Sequence, residues 1–348
     1  MNALSKTIFP LLILSLGFCL LATVLGLFGS HHWFLALFAN LPLQLAAILI
    51  VIAAVLLLTK HQRLALATLL VLLPNLWQLS YYYWPRPYSD QSPSLRVLSF
   101  NVRKSNPNHD KVLRHIQSTN ADIIALIEVN DHWLKDFSAL EETHPYIAHF
   151  PNNHNFGLAL YSRYPVIKHR RPMPTRGHPL PLAEIDYDGF LLTAVVAHPI
   201  PPMNQSGAEF FERYLTSSVN LVAELEGPVL FMGDFNASPW SHLFPSISQK
   251  TGLQDSGRGR GFQSTWNRWN PLLTTPIDHV FHSAELQPTA RSIGPANGSD
   301  HSPILLDFAF HPTLPTPKPA PPNKNTTTPR PNKNTPTKPR LRRVPQSN

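Results

Sequence analysis

Residues 229–240 read VLFMGDFNASPW, and this stretch decides the fold. Val229 to Met232 is a short, wholly apolar run of the kind that forms a strand buried on both faces. It stops abruptly at Gly233-Asp234-Phe235-Asn236, where a carboxylate and an amide follow with no polar spacer. Working outward, the same design recurs. Leu95 to Phe100 is a β-rich run that ends at Asn101, and Ala121 to Ile127 ends at Glu128. Phe190 to Ala197 ends at His198, while Asp278 and His279 lie inside the run Ile277 to Phe281. Asp300-His301 shortly precede Ile304 to Phe308. Polar groups at the ends of core strands converge on one sheet edge, where a site can be held rigidly.

The remaining elements fill in around these strands. Residues 109–119 read as a helix with Val112, Leu113 and Ile116 on one face, and Phe156 to Ser162 as a further strand. Ala183 to Ile185 and Phe190 to Ala197 form a hairpin around the turn Asp188-Gly189. Glu209 to Leu225 reads as a helix with Phe210, Tyr214, Leu221 and Leu225 inward, stopped by Gly227-Pro228. Many strands with few helices imply an α+β domain, two sheets face to face with helices outside.

The first 84 residues differ in kind. Thr7 to Thr59 contain no Lys, Arg, Asp or Glu. Three membrane helices are expected, about 8–29, 33–58 and 64–82, the last ending in the aromatic cluster Tyr81 to Trp84. Lys6, Lys60 and Arg63 mark the cytoplasmic side, and an odd number of spans puts the rest of the chain outside the cytoplasm. Residues 85–93 are expected to be a linker, 94–310 the globular domain, and 311–348 a disordered basic tail in which 11 of 38 residues are proline. That tail carries eight Lys and Arg and no acidic residue, so the net charge of +8 belongs to it and the body is formally neutral. A basic nucleic-acid face on the body is therefore not indicated by the pI. The single cysteine, Cys19, excludes intrachain disulfides.

The polar set suits one chemistry. Phosphate-ester hydrolysis needs a hard cation with oxygen ligands, a carboxylate base near the attacking water, and donors for the phosphoryl oxygens. Glu, Asp and Asn supply oxygen ligands for Mg2+ or Mn2+, whereas the sequence offers neither a thiolate in the domain nor a close His-x-x-x-His pair for zinc. Other residues have plainer readings: His279 and His282 as structural or surface groups, and Gly257 to Gly261 (GRGRG) as a mobile loop near the site whose arginines contact substrate.

LRVLSFNV (95–102), ADIIALIEV (121–129), FGLALYSRYPV (156–166), VVAHPIPP (195–202), VLFMGDFNASPW (229–240), STW with PIDHVF (264–266 and 276–281) and GSDHSPI (298–304) occur in this order. In this the chain resembles the endonuclease/exonuclease/phosphatase superfamily, with its deoxyribonuclease-like fold, and in its N-terminus a bacterial membrane-bound branch of it. The resemblance implies a four-layer α/β/β/α sandwich of two packed mixed sheets, in a bacterial cytoplasmic-membrane protein. It implies Glu128 as principal metal ligand, Asn101 beside it, and Asp300 as a further metal-site carboxylate. Asp234 corresponds to the residue that orients or deprotonates water, and Asn236 to the partner of the phosphate. His301 corresponds to the histidine on the phosphoryl oxygen, with Asp278 fixing its tautomer, and His198 to one on the leaving-group side. Ile127 departs from the Gln that many members carry before the Glu. The expected activity is hydrolysis of phosphodiesters, with nucleic acid or phospholipid as substrate. The alternatives are a phosphatase or phospholipase-type hydrolase on lipid or sugar phosphates and, in another class, an inactive envelope scaffold.

Overall fold

The computed structural model describes residues 3–152 and 154–311. The expected tail, 311–348, lies outside the described residues except for His311. Four helices come first: α1 (Ala3–Leu27), α2 (Trp33–Phe38), α3 (Pro42–Leu58) and α4 (Gln62–Tyr83). Then follow β1 (Leu95–Asn101), α5 (His109–Thr119), β2 (Ile123–Ile127), α6 (Asp131–Asp136), β3 (Tyr146–Phe150), β4 (Leu158–Ser162), β5 (Val166–Arg170), β6 (Leu182–Tyr187) and β7 (Phe190–Ala197). The chain continues through α7 (Gln205–Ala223), β8 (Val229–Asp234), α8 (Phe244–Thr251), β9 (Gln254–Asp255), β10 (Asp278–His282), β11 (Leu286–Ile293) and β12 (Ile304–Phe310).

The strands form two six-stranded sheets, ordered β11-β12-β1-β2-β4-β3 and β5-β6-β7-β8-β10-β9. Each is mixed: β1 with β2 and β7 with β8 run parallel, and the other neighbours are antiparallel. Their inner faces meet through Val97, Ile123, Ala125, Val196, Met232 and Val280. On the outer face of the first sheet, Leu98, Phe100 and Ile124 pack against Val112 and Ile116 of α5 and Trp133 of α6. On that of the second, Val195, Phe231 and Phe281 pack against Phe211, Tyr214 and Val219 of α7 and Ile247 of α8. The architecture is thus the α/β/β/α sandwich, and β2 and most of β8 are apolar because both of their faces are buried.

Two local readings are corrected. Helix α7 begins at Gln205, capped by Asn204, whose side chain accepts from the Gly207 amide, and it buries Phe211 in place of Phe210. The GRGRG segment clamps the end of α4: the Gly259 and Gly261 amides donate to the Tyr81 and Tyr82 carbonyls. It lines no part of the cleft at the strand ends.

The helical region departs from three uninterrupted spans. Phe9–Leu27 and Gln62–Tyr83 are long and apolar enough to cross a membrane; Pro42–Leu58, at 17 residues, is shorter. The stretch 33–58 is two helices, not one. Asn40 lies between them, its Oδ1 accepting from Ser238 Oγ at 2.6 Å, and Pro42 opens α3 where a missing amide costs nothing. Helices α1, α3 and α4 pack around Cys19, Ala22, Leu45, Leu49 and Leu72, leaving an outer surface of exposed apolar side chains such as Leu58 (84%) and Trp77 (80%). The bundle docks on the sandwich through Trp240, whose Nε1 donates to the Gln78 carbonyl, and Tyr81, whose hydroxyl donates to Asp255 Oδ2, both at 2.9 Å.

Gly233 shows how tightly β8 is seated. Its φ is 138°, and a Cβ there would lie 2.1 Å from the Ala197 carbonyl oxygen on β7. Gly233→Ala is expected to lower unfolding free energy by about 3 kcal/mol or more, combining backbone strain with a clash that rigid strands cannot relieve. Gly189→Ala, at φ 87° with open space around it, should cost only about 1 kcal/mol. Denaturant midpoints in detergent for the two variants check the contrast.

Candidate active site at the strand ends

Parallel strands that end, and antiparallel strands that begin, at the same edge bring their termini together. Asn101 closes β1, Asp234 closes β8, and Glu128 and His198 follow β2 and β7 directly. Asp278 opens β10 in register with Asp234. Asp300 and His301 enter from the loop before β12.

The hydrogen bonds join these groups into one unit. Asn101 Nδ2 donates to Glu128 Oε1 at 3.2 Å and to Asp234 Oδ2 at 3.1 Å. The Lys104 amide donates to Glu128 Oε2 and the Arg103 amide to Asn101 Oδ1. His301 Nδ1 lies 2.8 Å from Asp278 Oδ2, and its Nε2 lies 3.6 Å from Asp234 Oδ2. His198 Nε2 lies 3.6 Å from that same oxygen. Asp234 Oδ1 accepts from the Asn236 amide, while the Asn236 side chain donates to the Pro199 carbonyl. Asp300 is held at the side, accepting from Trp266 Nε1 at 3.2 Å, with Arg103 Nε 3.8 Å away. All eight residues expected from the sequence therefore fall in one neighbourhood, though Asp300 stands apart from the hydrogen-bonded set.

Burial sets the electrostatics. Asp234 is buried, and desolvation together with the neighbouring Asp278 carboxylate pushes its acid up to about 7, even though His301 pulls the other way. Burial raises Glu128 as well. His301 is raised to about 10: burial opposes its charge, but Asp278 and Asp234 outweigh burial and favour the imidazolium. Burial lowers His198 to about 3, reinforced by the His301 cation, so it is a neutral ring at pH 7.

Carboxylates buried with too little positive charge are the signature of a cation site. Donor atoms of Asp234, Asp278 and His301 lie within 4.8 Å of one another, and Glu128 adds another carboxylate beside Asn101. The oxygen-rich donors fit Mg2+ or Mn2+. His301 Nδ1 is already engaged by Asp278, and its Nε2 faces Asp234.

Sequence reading missed the residues that brace the site. Buried Thr265 Oγ1 accepts from the amides of Ile277 and Asp278, fixing the start of β10. Trp266 orients Asp300 through its indole N–H. Both lie in the STW motif, whose position was legible but whose contacts run to residues 10 to 35 positions away. His279 is structural: it is buried, its Nε2 2.9 Å from the Ala237 carbonyl oxygen.

The sequence profile of the Endonuclease/Exonuclease/phosphatase family matches residues 98–301. Among curated proteins, the chain is 26% identical over 237 residues to a UPF0294 protein of Vibrio campbellii, covering 64% of this chain and 80% of that one. It is 32% identical over 127 residues to UPF0294 protein YE0917 of Yersinia enterocolitica, covering 35% and 44%. Among solved structures, the endonuclease/exonuclease/phosphatase of Bacteroides vulgatus superposes with TM-score 0.52 at 18% identity, over 62% of this chain and 99% of that one. TDP2 of D. rerio, complexed with a single-strand DNA product, gives 0.53 at 16% identity over the same shares. At these identities the structural likeness speaks for the fold.

Thr265→Val keeps the shape and removes the acceptor for two buried amides. It is expected to destabilise by about 2 kcal/mol and to lower phosphodiester turnover by loosening Asp278, while Thr265→Ser restores both. Thermal midpoints and kcat measured together test this.

Proposed function

Because the chain belongs to the Endonuclease/Exonuclease/phosphatase family, we propose that it is a membrane-anchored, divalent-metal-dependent phosphoesterase that hydrolyses phosphodiester bonds with an activated water. The observation that carries this reading is the hydrogen-bonded cluster of Asn101, Glu128, Asp234, Asp278 and His301, which supplies the carboxylates and imidazole that a base, a phosphate donor and a cation site would need.

Glu128 and Asn101, with Asp300 alongside, would hold the cation, which as Mg2+ or Mn2+ neutralises charge on the phosphoryl oxygens. Asp234 serves as the base. An acid near 7 is well matched to taking a water proton at neutral pH. The water oxygen bonds to phosphorus as one P–O ester bond breaks, and the departing alkoxide takes a proton from solvent. His301 directs Nε2–H at a non-bridging oxygen, and Asp278, bound at Nδ1, keeps that orientation and stabilises its charge. Asn236 has one amide hydrogen committed to Pro199 and a second free for the phosphate. His198, neutral, is a hydrogen-bond donor on the leaving-group side rather than a proton source.

The location reading also draws on the bundle. The ends of α1, α3 and α4 nearest the sandwich are Leu27, Pro42 and Tyr83, and the turn with Lys60 and Arg63 lies at the opposite end. Positive charge at the far end supports a cytoplasmic N-terminus and an extracytoplasmic catalytic domain in a bacterial inner membrane. Helix α3 is about 26 Å long by its rise, close to the hydrocarbon thickness, and supports a third span in the bundle.

Full-length protein in detergent with Mg2+ or Mn2+ is expected to hydrolyse bis(p-nitrophenyl) phosphate, and EDTA to abolish this. Asp234→Asn should lower kcat by about a hundredfold or more without loss of thermal stability. Equal inactivity of wild type and variant across nucleic acids, phospholipids and phosphomonoesters would instead favour the scaffold reading, and preference for p-nitrophenyl phosphate a phosphatase.

A further inference from the structure

We propose that the substrate is a membrane phospholipid whose phosphodiester reaches the site while its hydrocarbon chains stay on an apolar wall supplied by the helix bundle; this rests on the phosphodiesterase reading above. The site opens into a cleft of about 530 Å³. Its floor is polar, formed by Glu128, Asp234, Asp300 and His301. One wall is not part of the sandwich at all: Leu37 comes from the end of α2, and Asn40 and Leu41 from the elbow between α2 and α3. Phe156, Met203 and Leu273 face in from the sandwich loops.

Two hydrogen bonds hold this wall in place. Asn40 Oδ1 accepts from Ser238 Oγ, two residues beyond Asn236, and Gln44 Nε2 in the first turn of α3 donates to the Thr274 carbonyl at 3.0 Å. The second bond ties the loop carrying Leu272 and Leu273 to the end of a membrane helix. Leu272 (77% exposed), Leu273, Trp269, Met203 and Phe34 all show large apolar surface to the outside. The Gln44–Thr274 bond sets Leu272 and Leu273 close to the first turn of α3, a helix that itself exposes Ile48, Ile50 and Val51, as a lipid-facing helix would. A phospholipid beside α3 can therefore place its phosphate over Asp234 and His301 while its chains remain against Leu41, Leu37 and Leu273.

Charge argues in the same direction. Among the described residues lining the cleft there is no Lys or Arg. Arg103, the guanidinium recorded against Asp300, stacks over the Trp269 ring at 4.1 Å. Nucleic acid, with a phosphate at every step, is gripped by a track of cations and stacking rings along the strand. A single phosphodiester with apolar appendages needs one cation site, one imidazole and a greasy wall, and the cleft brings carboxylates, His301 and apolar side chains together.

The test uses full-length protein in dodecyl maltoside micelles with Mg2+. Four probes are compared: a total bacterial phospholipid extract, the same extract after mild alkaline deacylation, a single-stranded oligodeoxynucleotide, and bis(p-nitrophenyl) phosphate. Intact phospholipid is expected to be cleaved with kcat/KM at least about tenfold above its deacylated counterpart, since each buried methylene adds to discrimination. Leu41→Ser combined with Leu273→Ser should shrink that ratio severalfold. Native mass spectrometry of EDTA-treated protein should find phospholipid retained by wild type and lost from the double variant. Deacylated head groups or oligodeoxynucleotide cleaved as well as lipid would overturn the lipid assignment and leave the phosphodiesterase reading standing. Equal lipid retention by wild type and variant would overturn the role of the wall. Failure on every probe, with Asp234→Asn no different from wild type, would overturn the phosphodiesterase reading and the lipid assignment with it.

Discussion

Antiparallel pairing of β8 with β10 sets Asp278 directly across from Asp234 at a dry sheet edge. Two carboxylates so placed repel unless positive charge lies nearby, and the protein supplies His301, hydrogen-bonded to one and 3.6 Å from the other. Everything else in the site adjusts to this pair. Asn101 bridges Asp234 to Glu128, which links the first sheet to the second across the inter-sheet core. Thr265 pins the strand that carries Asp278. The residual excess of acid is what a hard cation compensates.

The strands that carry the site were legible because burial on both faces makes them continuous apolar runs, and because the polar residue at each end interrupts the run sharply. β2 and β8 are of this kind. Edge strands obey no such rule. β3 (YIAHF) and β11 (LQPTARSI) each have one neighbour only, tolerate polar residues and, in β11, a proline at a bulge, so their sequences carry little pattern. The site's members were visible at strand ends, whereas the braces were not. A threonine that accepts two amides looks like any other threonine until the chain is folded.

The N-terminal region shows how a hydropathy reading passes over a polar signal. Residues 33–58 are apolar on average, and a single Asn40 followed by Leu41-Pro42 weighs little in such an average. In the fold that asparagine bonds Ser238 and ends one helix while the proline begins the next. The end of α2 and the elbow after it thereby become part of the cleft at the strand ends. The helical bundle and the sandwich therefore both contribute side chains to the cleft. The docking bonds from Trp240 and Tyr81 keep bundle and sandwich in one fixed relation.

Two of the positive-φ residues of the described chain fall at the cleft. Glu128 and Asn236 both have positive φ, 64° and 48°, although neither is glycine. Glu128 follows β2 directly and Asn236 lies two residues beyond β8, where the chain turns to aim a side chain into the cleft. An L-residue in that region costs about 1 kcal/mol or more, so the surrounding bonds must over-determine it. At Glu128 the Lys104 amide and Asn101 hold the carboxylate; at Asn236 the backbone amide is held by Asp234 and the side chain by Pro199. Glycine at either position would relieve the strain but remove the side chain the site requires. The strained turns are thus a consequence of putting polar groups at or just past the ends of rigid strands, and the hydrogen bonds that stabilise them are the same ones that orient Asp234, Glu128 and Asn236.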